Sequence, residues 1–151
     1  MATDYKILVK QAESLIKDCP HKIANLANIS ALIYDSLTDI NWAGFYLLEN
    51  DKLVLGPFQG KVACIEIPVG KGVCGTAIKE DKTQLVPDVH QFPGHIACDS
   101  ASESEIVIPI HSGAKPIAVL DIDSPIKNRF DENDKNGLEK VRDLLETYVF
   151  K

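Results

Sequence analysis

The spacing of apolar residues changes twice along the chain, and this order limits the possible folds more than any other feature. Up to about residue 38 apolar residues recur at helical spacing, from 41 to 124 they alternate in short segments, and after 131 helical spacing returns. Helices, then strands, then a helix predict an α+β fold. We expect a central antiparallel sheet of about six strands with helices packed on it.

The segment boundaries follow from turn and capping residues. Asp4 and Asp131 are suited to cap the first and last helices, and Cys19-Pro20 separates the first helix from a second one over about 21–36. We therefore expect a single domain over 1–151, with a helical N-terminal segment (1–38), a sheet with active-site loops (41–124) and a C-terminal helix (131–151). The second helix is predicted to bury one face formed by Ile23, Leu26, Ala27, Ile33 and Tyr34.

Charge and composition exclude several classes of function. The net charge is −6 and the pI is about 5.1, without the clustered Lys and Arg that a phosphate backbone attracts, so no nucleic-acid partner is expected. No apolar run approaches the roughly 18 residues of a membrane span, and the N-terminus lacks a signal-peptide pattern. These features predict a cytoplasmic protein, whose four cysteines are catalytic, metal-binding or buried rather than permanently disulfide-bonded.

Three of those cysteines, Cys64, Cys74 and Cys98, lie in the stretch from Gly60 to Ser100. A single free cysteine is most often a small buried hydrophobe, but three thiols near glycines and polar residues favour redox chemistry. A metal site is not predicted, because the chain has no C-x-x-C pair and its histidines are irregularly spaced. Cys19, between two helices, is expected to be structural.

The segment from Gly70 to Gly75 satisfies the dinucleotide pattern G-x-G-x-x-G and follows a strand. A Rossmann unit is nevertheless excluded, because the residues from Lys79 to Lys82 end the following helix too early for a parallel crossover. The glycines instead predict a tight turn around Cys74. At the start of a helix, this thiol is expected to be stabilised as thiolate by the helix dipole.

Three acidic residues form a second candidate group. Asp121 and Asp123 are two positions apart in a strand and share one face. Glu105 joins that face if the hairpin loop has an odd number of residues and lies on the opposite face if the number is even. The acids could form a solvated sheet face, but in a pocket they would raise one another's pKa, so that one donates a proton while another binds an ammonium group.

Two aromatic residues lie on the first strand. Trp42 and Tyr46 are four positions apart and share a face. Aromatic residues there most often belong to the core, but beside acids they also form boxes for methyl or cationic groups.

Much of the chain resembles a known family. The resemblance runs from about Trp42 to Val141 and is carried by NWAGFYLL, LVLGPFQGKVACIEIPVGKGVCGTA, DVHQFPGHIACDSASESEIVIPI and AVLDIDSPIKNRFDENDKNGLEKV, which are similar to the free methionine-(R)-sulfoxide reductases, a branch of the GAF fold. The resemblance implies reduction of free methionine-R-sulfoxide. It implies that Cys98 attacks the sulfoxide sulfur, that the resulting sulfenic acid forms a disulfide with a second cysteine, and that thioredoxin reduces this disulfide. Cys64 is the expected resolving thiol and Cys74 an auxiliary one, with Cys74 as the alternative resolving thiol. It also implies a homodimer and no bound cofactor.

The resemblance further implies a substrate pocket formed by Trp42, Tyr46, Glu105, Asp121 and Asp123. Aromatic residues would enclose the methyl group, and acids would hold the ammonium group and the sulfoxide. Glu105 or Asp123 would act as general acid, since sulfoxide oxygen must be protonated to leave. Backbone N–H groups near Cys98 are expected to bind the substrate carboxylate, and the loop from His90 to Ala101 to move over the substrate.

Two other functions fit the residues. One is a GAF-type module that binds a small regulatory ligand without catalysis. The other is peroxide sensing by Cys98 alone. Counting free thiols after addition of methionine-R-sulfoxide separates a reductase, which loses two thiols, from a binding module, which loses none. A peroxide sensor would show the same loss with peroxide but would produce no methionine.

Overall fold

The computed structural model describes residues 2–96, 98 and 100–151 as an α+β fold built on one six-stranded sheet. In chain order the elements are α1 (Tyr5–Ile16), α2 (Lys22–Ser36), β1 (Trp42–Glu49), β2 (Lys52–Gly60), β3 (Glu66–Pro68), α3 (Gly72–Glu80), β4 (Gln84–Val86), a 3-10 turn (Val89–Gln91), β5 (Ser104–Ser112), β6 (Lys115–Ser124) and α4 (Glu132–Tyr148). The strand order is β3-β2-β1-β6-β5-β4, and every neighbouring pair is antiparallel. The fold class predicted from the sequence is confirmed.

Helix starts follow the predicted caps. The Asp4 side chain accepts hydrogen bonds from the backbone N–H groups of Lys6 and Ile7 at the start of α1. Asp131 and Asp134 form a reciprocal capping box at the start of α4. α3 is short because Asp81 adopts the left-handed conformation and ends it, as the charged run there predicts. None of the helices in the described part of the chain is long and apolar enough to cross a bilayer.

The predicted inner face of α2 is wrong at both ends. Ile23 is 63% exposed and Tyr34 38% exposed, whereas Asn25 and Ser30 are buried. The buried polar side chains find backbone partners: the Asn25 amide donates to the carbonyl of Cys19, and the Ser30 hydroxyl lies within hydrogen-bond distance of two carbonyl oxygens. Polar residues with such partners are readily buried, so apolar spacing alone assigned this face incorrectly.

The sheet separates two apolar clusters. The larger one lies under α1, α2 and α4, and the sheet contributes to it Ala43, Phe45, Ile106, Ile108, Ile110, Ala118, Leu120 and Ile122. The smaller one lies under α3 on the opposite face and includes Trp42, Tyr46, Cys74, Val107 and Val119. We call these surfaces of the sheet the helical face and the site face.

The β5–β6 hairpin settles the position of Glu105. Ser112 pairs with Lys115 across a two-residue loop, which in a regular hairpin would place Glu105 opposite Ile122. A β-bulge at Ile117 adds one residue to β6, however, so Glu105 pairs directly with Asp123. Glu105 therefore shares a face with both aspartates, although the loop is even.

Candidate active site

The site face carries its polar residues in neighbouring strands. Trp42 on β1 pairs with Asp123 on β6, and Asp123 pairs with Glu105 on β5. Directly paired residues of adjacent strands point to the same side of a sheet. Asp121 is two residues from Asp123 on β6 and therefore lies on the same side. Three strands thus bring one aromatic and three acidic residues together from three regions of the sequence.

The two aromatic side chains hold a backbone segment beside this group. Trp42 stacks on Tyr46 and on Phe58, with ring centroids 5.9 and 5.1 Å apart. The Trp42 indole N–H donates to the carbonyl oxygen of Lys61 at 3.1 Å, and the Tyr46 hydroxyl donates to that of Cys64 at 2.8 Å. The aromatic residues therefore form one side of the site and also hold the segment that carries Cys64 in place.

Cys64 and Cys98 are joined by a disulfide bond, with their Cα atoms 5.4 Å apart. Both residues are partly exposed. Among the described residues, Cys19 and Cys74 are free. Two thiols that lie 34 positions apart in the sequence thus meet within the Cα separation of about 7 Å that a disulfide requires.

A small cavity of about 40 Å³ lies between the disulfide and the acids. This volume accommodates a few water molecules. Its lining combines thiol, aromatic, acidic and apolar side chains: Trp42, Tyr46, Val62, Ala63, Ile67, Gly72, Val73, Cys74, His95, Ile96, Cys98, Ser102, Glu105, Asp121 and Asp123. All five residues predicted to bind substrate line this cavity, together with Cys98 and Cys74.

Burial changes the acid–base behaviour of the carboxyl groups. It raises the pKa of Glu105 well above its usual value, and the neighbouring Asp121 and Asp123 raise this pKa further. Burial also raises the pKa of Asp121, although hydrogen bonds from Glu105, Cys74 and Asp123 act in the opposite direction. The group therefore holds a shared proton to higher pH than isolated carboxyl groups do, with Glu105 the better-placed donor.

Asp121 also carries an unused acceptor. Its Oδ1 atom is buried and has no hydrogen-bond partner among the described residues, and the residue is 5% exposed. A buried acceptor without a partner costs roughly 1–3 kcal/mol. Because Asp121 lines the cavity, this oxygen is available to a ligand that brings a hydrogen-bond donor.

Cys74 differs from the sequence-based expectation. The residue lies in the first turn of α3 but is only 4% exposed. Burial, followed by the charges of Asp121, Glu105 and Asp123, raises the pKa of its thiol well above the usual value. The prediction that the helix dipole favours the thiolate is therefore wrong, because desolvation and three nearby acids outweigh the dipole.

The same three groups have the spacing of a possible cation site. Ligand atoms of Cys74, Glu105 and Asp121 lie within 4.8 Å of one another. Hydrogen bonds that share protons among them account for this spacing without an ion. The sequence-based expectation that the site uses no metal remains a prediction.

Sequence reasoning missed several contacts at this site. Phe58 stacks on Trp42, Ser102 and His95 line the cavity, and Tyr46 hydrogen-bonds a backbone carbonyl. No local pattern reports such pairings, because each joins segments that are distant along the chain. The predicted movement of the loop from His90 to Ala101 involves residues 97 and 99, which lie outside the described residues.

Comparison with known proteins identifies relatives over most of the chain. A family model of the GAF domain matches residues 24–145. The free methionine-R-sulfoxide reductase of Escherichia coli K12 is 60% identical over 124 residues, which cover 82% of this chain and 75% of that protein.

Two solved structures have the same fold and contain substrate. The structure of the fRMsr of Staphylococcus aureus in complex with substrate has a TM-score of 0.94 and 58% identity, covering 99% of this chain and 97% of that one. The free methionine-R-sulfoxide reductase of Neisseria meningitidis in complex with its substrate has a TM-score of 0.93 and 43% identity, covering 98% of this chain and 92% of that one.

Proposed function

The chain belongs to the free methionine-R-sulfoxide reductases, a family with the GAF domain, and we propose that its own thiols reduce free methionine-R-sulfoxide to methionine. The observation that carries this mechanism is the Cys64–Cys98 disulfide beside a cavity lined by three acids. A disulfide in this position is the expected product of one catalytic cycle, because it stores the two oxidising equivalents that the sulfoxide loses.

Cys98 is the nucleophile in this mechanism, because it lines the cavity where substrate binds. Its sulfur attacks the sulfoxide sulfur, the oxygen is transferred to Cys98 as a sulfenic acid, and methionine leaves. The thiol of Cys64 then attacks the sulfenic sulfur, forming the disulfide and releasing water. Cys74 remains an auxiliary thiol, because its burial and raised pKa disfavour the thiolate needed for either step.

Glu105 is the general acid in this scheme. Burial and the neighbouring aspartates keep its carboxyl group protonated at higher pH than usual, so it can protonate the sulfoxide oxygen.

We expect kcat/KM for the first step to fall as pH rises through the raised pKa of Glu105. In Glu105→Gln the first step is slowed and this limb of the pH profile disappears, as single-turnover methionine release across a pH series will show. A limb that persists in Glu105→Gln assigns the proton to Asp123 instead.

The other site residues bind and orient the substrate. The unpartnered Oδ1 of Asp121 accepts a hydrogen bond from the substrate ammonium group, with the carboxylate of Asp123 nearby. Trp42 and Tyr46 enclose the methyl end. We propose that backbone N–H groups near Cys98 bind the substrate carboxylate; the N–H of Cys98 itself donates to the carbonyl oxygen of Ile96. These contacts require a free amino acid with both charged ends, which explains why a peptide-bound residue would be excluded.

A single-turnover experiment tests this function. Reduced protein is mixed with one equivalent of free methionine-R-sulfoxide, and methionine and remaining thiols are counted. Wild type releases one methionine and loses two thiols, whereas Cys98→Ser releases none. The S epimer and an N-acetylated, C-amidated methionine-R-sulfoxide serve as matched controls, and both should leave the thiols intact. Full methionine release by Cys98→Ser would contradict the assignment of the nucleophile.

The remaining steps need a reductant and a setting. We propose that thioredoxin reduces the disulfide, since this partly exposed bond is accessible to an attacking thiol. A cytoplasmic location supplies such reductants.

We further propose a homodimer through the outer side of α1, where Ile7 is 54% and Leu15 40% exposed. Sedimentation of wild type and of an Ile7→Glu/Leu15→Glu variant tests the dimer, which the variant should lose.

A further inference from the structure

Exposed apolar side chains lie next to both cysteines of the disulfide along the chain. Val62 is 87% exposed, Ile65 70% and Ile96 36%, and each lies within two positions of Cys64 or Cys98. Eight large hydrophobic side chains are exposed in the described part of the chain, so more than a third of them lie at this one bond. We call Val62, Ile65 and Ile96 the collar. Clustered exposed apolar side chains typically mark interaction surfaces.

The backbone holds the collar outward. The carbonyl oxygens of Lys61, Cys64 and Ile65 all accept hydrogen bonds from groups of the sheet, namely Trp42, Tyr46 and the backbone N–H of Leu55. With these carbonyl groups turned inward, the segment has little freedom to turn the Val62 and Ile65 side chains into the core. Their exposure is therefore fixed by the fold.

Ile96 completes the collar from the Cys98 side. It lies against Gly72, where φ is +62° and a Cβ atom would come within 3.3 Å of the Ile96 side chain. A glycine at this position therefore gives Ile96 its place at the edge of the site. Lys61 and Lys71 are exposed nearby, so the apolar collar has a polar rim.

We propose that the collar is the docking surface for a protein dithiol reductant, an inference that rests on the proposed thiol mechanism. One thiolate of the reductant attacks a sulfur of the Cys64–Cys98 disulfide, that bond breaks, and a mixed disulfide forms while the other cysteine leaves as thiolate. The second thiol of the reductant then attacks the mixed disulfide, so the reductant is oxidised to a disulfide and the enzyme regains two thiols.

The apolar side chains of the collar favour a protein as the reductant over a small thiol. A small thiol needs only an accessible sulfur, which the partly exposed disulfide already offers. Apolar side chains around the sulfur add affinity only for a partner that covers them. The reductant must also leave after each cycle, which suits a small apolar contact rather than a large permanent interface.

Ile65→Glu tests the proposal most sharply, because Ile65 is next to Cys64 but does not line the cavity. Its backbone contact to Leu55 does not depend on the side chain, so the variant should fold. With thioredoxin, thioredoxin reductase and NADPH, we expect the KM for thioredoxin to rise roughly tenfold. With dithiothreitol, turnover should stay within twofold of wild type. Ile65→Lys should behave like Ile65→Glu, since both remove apolar contact.

Ile23→Glu is the matched control, since Ile23 is 63% exposed on α2, which packs on the opposite face of the sheet. Ile23→Glu should change neither the KM for thioredoxin nor the turnover with dithiothreitol. An unchanged KM for thioredoxin in Ile65→Glu overturns the docking surface. An equal loss of turnover with dithiothreitol as the reductant overturns it as well. If wild type releases no methionine even with dithiothreitol, the proposed reductase mechanism itself fails.

Discussion

The two faces of the sheet have opposite chemistry although they are made by alternate residues of the same strands. On the helical face, side chains such as Ile106 and Ile122 are fully buried under three helices. On the site face, Glu105 and Asp121 are nearly as buried, yet they carry ionisable groups and one acceptor without a partner.

This difference separates stability from function within one sheet. Burying apolar side chains is favourable, whereas burying carboxyl groups that repel one another is not. The helical face therefore stabilises the strands, and this stability offsets the cost of holding buried acids on the site face. Substitutions on the two faces should accordingly have opposite consequences.

The sharpest test uses neighbouring residues of β6. Ile122→Ala should lower the free energy of unfolding by about 2–5 kcal/mol, because it leaves a cavity in a closed core. Asp121→Asn should raise it by about 1 kcal/mol at pH 7, because it removes a buried group whose ionisation the site disfavours. The effects on activity should be the reverse. In Asp121→Asn, kcat/KM should fall roughly 100-fold, because the charged contact with the substrate ammonium group is lost.

Urea unfolding and steady-state kinetics at 25 °C measure both effects. Activity of Ile122→Ala is compared below its unfolding transition, where it should be within a few-fold of wild type. Loss of stability in Asp121→Asn would mean that the acid cluster supports the fold, and the contrast between the faces would be lost.

A pair of buried tyrosines gives a smaller effect. On the helical side, the Tyr5 hydroxyl donates to Asp134 at 2.6 Å, and on the site face the Tyr46 hydroxyl donates to the carbonyl of Cys64. Each Tyr→Phe change should cost about 1 kcal/mol of stability. Only Tyr46→Phe should slow disulfide formation, because it frees the segment that carries Cys64.

Trapping with dimedone separates the two steps of the reaction. After one equivalent of sulfoxide, Tyr46→Phe should accumulate several-fold more trapped sulfenic acid on Cys98 than wild type does. Tyr5→Phe should match wild type. Equal trapping in both variants would show that the Tyr46 hydroxyl does not position the Cys64 segment.

The smallest expected effect depends on pH. Burial alone would lower the pKa of His111, but hydrogen bonds to Asp81 and Glu146 outweigh burial and raise it. Because the folded-state pKa is raised, the stabilisation is complete below the unfolded value of about 6.5 and is lost as pH rises through the folded-state pKa. Thermal unfolding from pH 6 upward should show this decline in wild type, and the decline should be absent in His111→Asn.

Local patterns predicted most of the fold. Asp4 and Asp131 cap the predicted helices, and the alternating strands occur where the periodicity changes. The common face of Asp121 and Asp123 follows from the two-residue repeat of a strand alone. Glu105 could not be placed, because a bulge reversed the parity that the hairpin loop implies.

The errors have a common physical cause. The thiolate character expected for Cys74 depended on the helix start, but desolvation and neighbouring acids from other strands decide its pKa. The Tyr46 contact with Cys64 likewise joins β1 to the segment after β2. Such effects depend on what tertiary structure places around a residue, and sequence spacing does not report them.

The bulge at Ile117 also determines where this hairpin tolerates a change in chain length. A chain without Ile117 would form a plain two-residue hairpin and still align Glu105 with Asp123, because the deleted residue has no partner on β5. A deletion between Glu105 and Ile110 would instead turn Glu105 into the apolar core. Ile117 can thus be deleted without changing the pairing of Glu105, and insertions and deletions in related sequences should occur at this position.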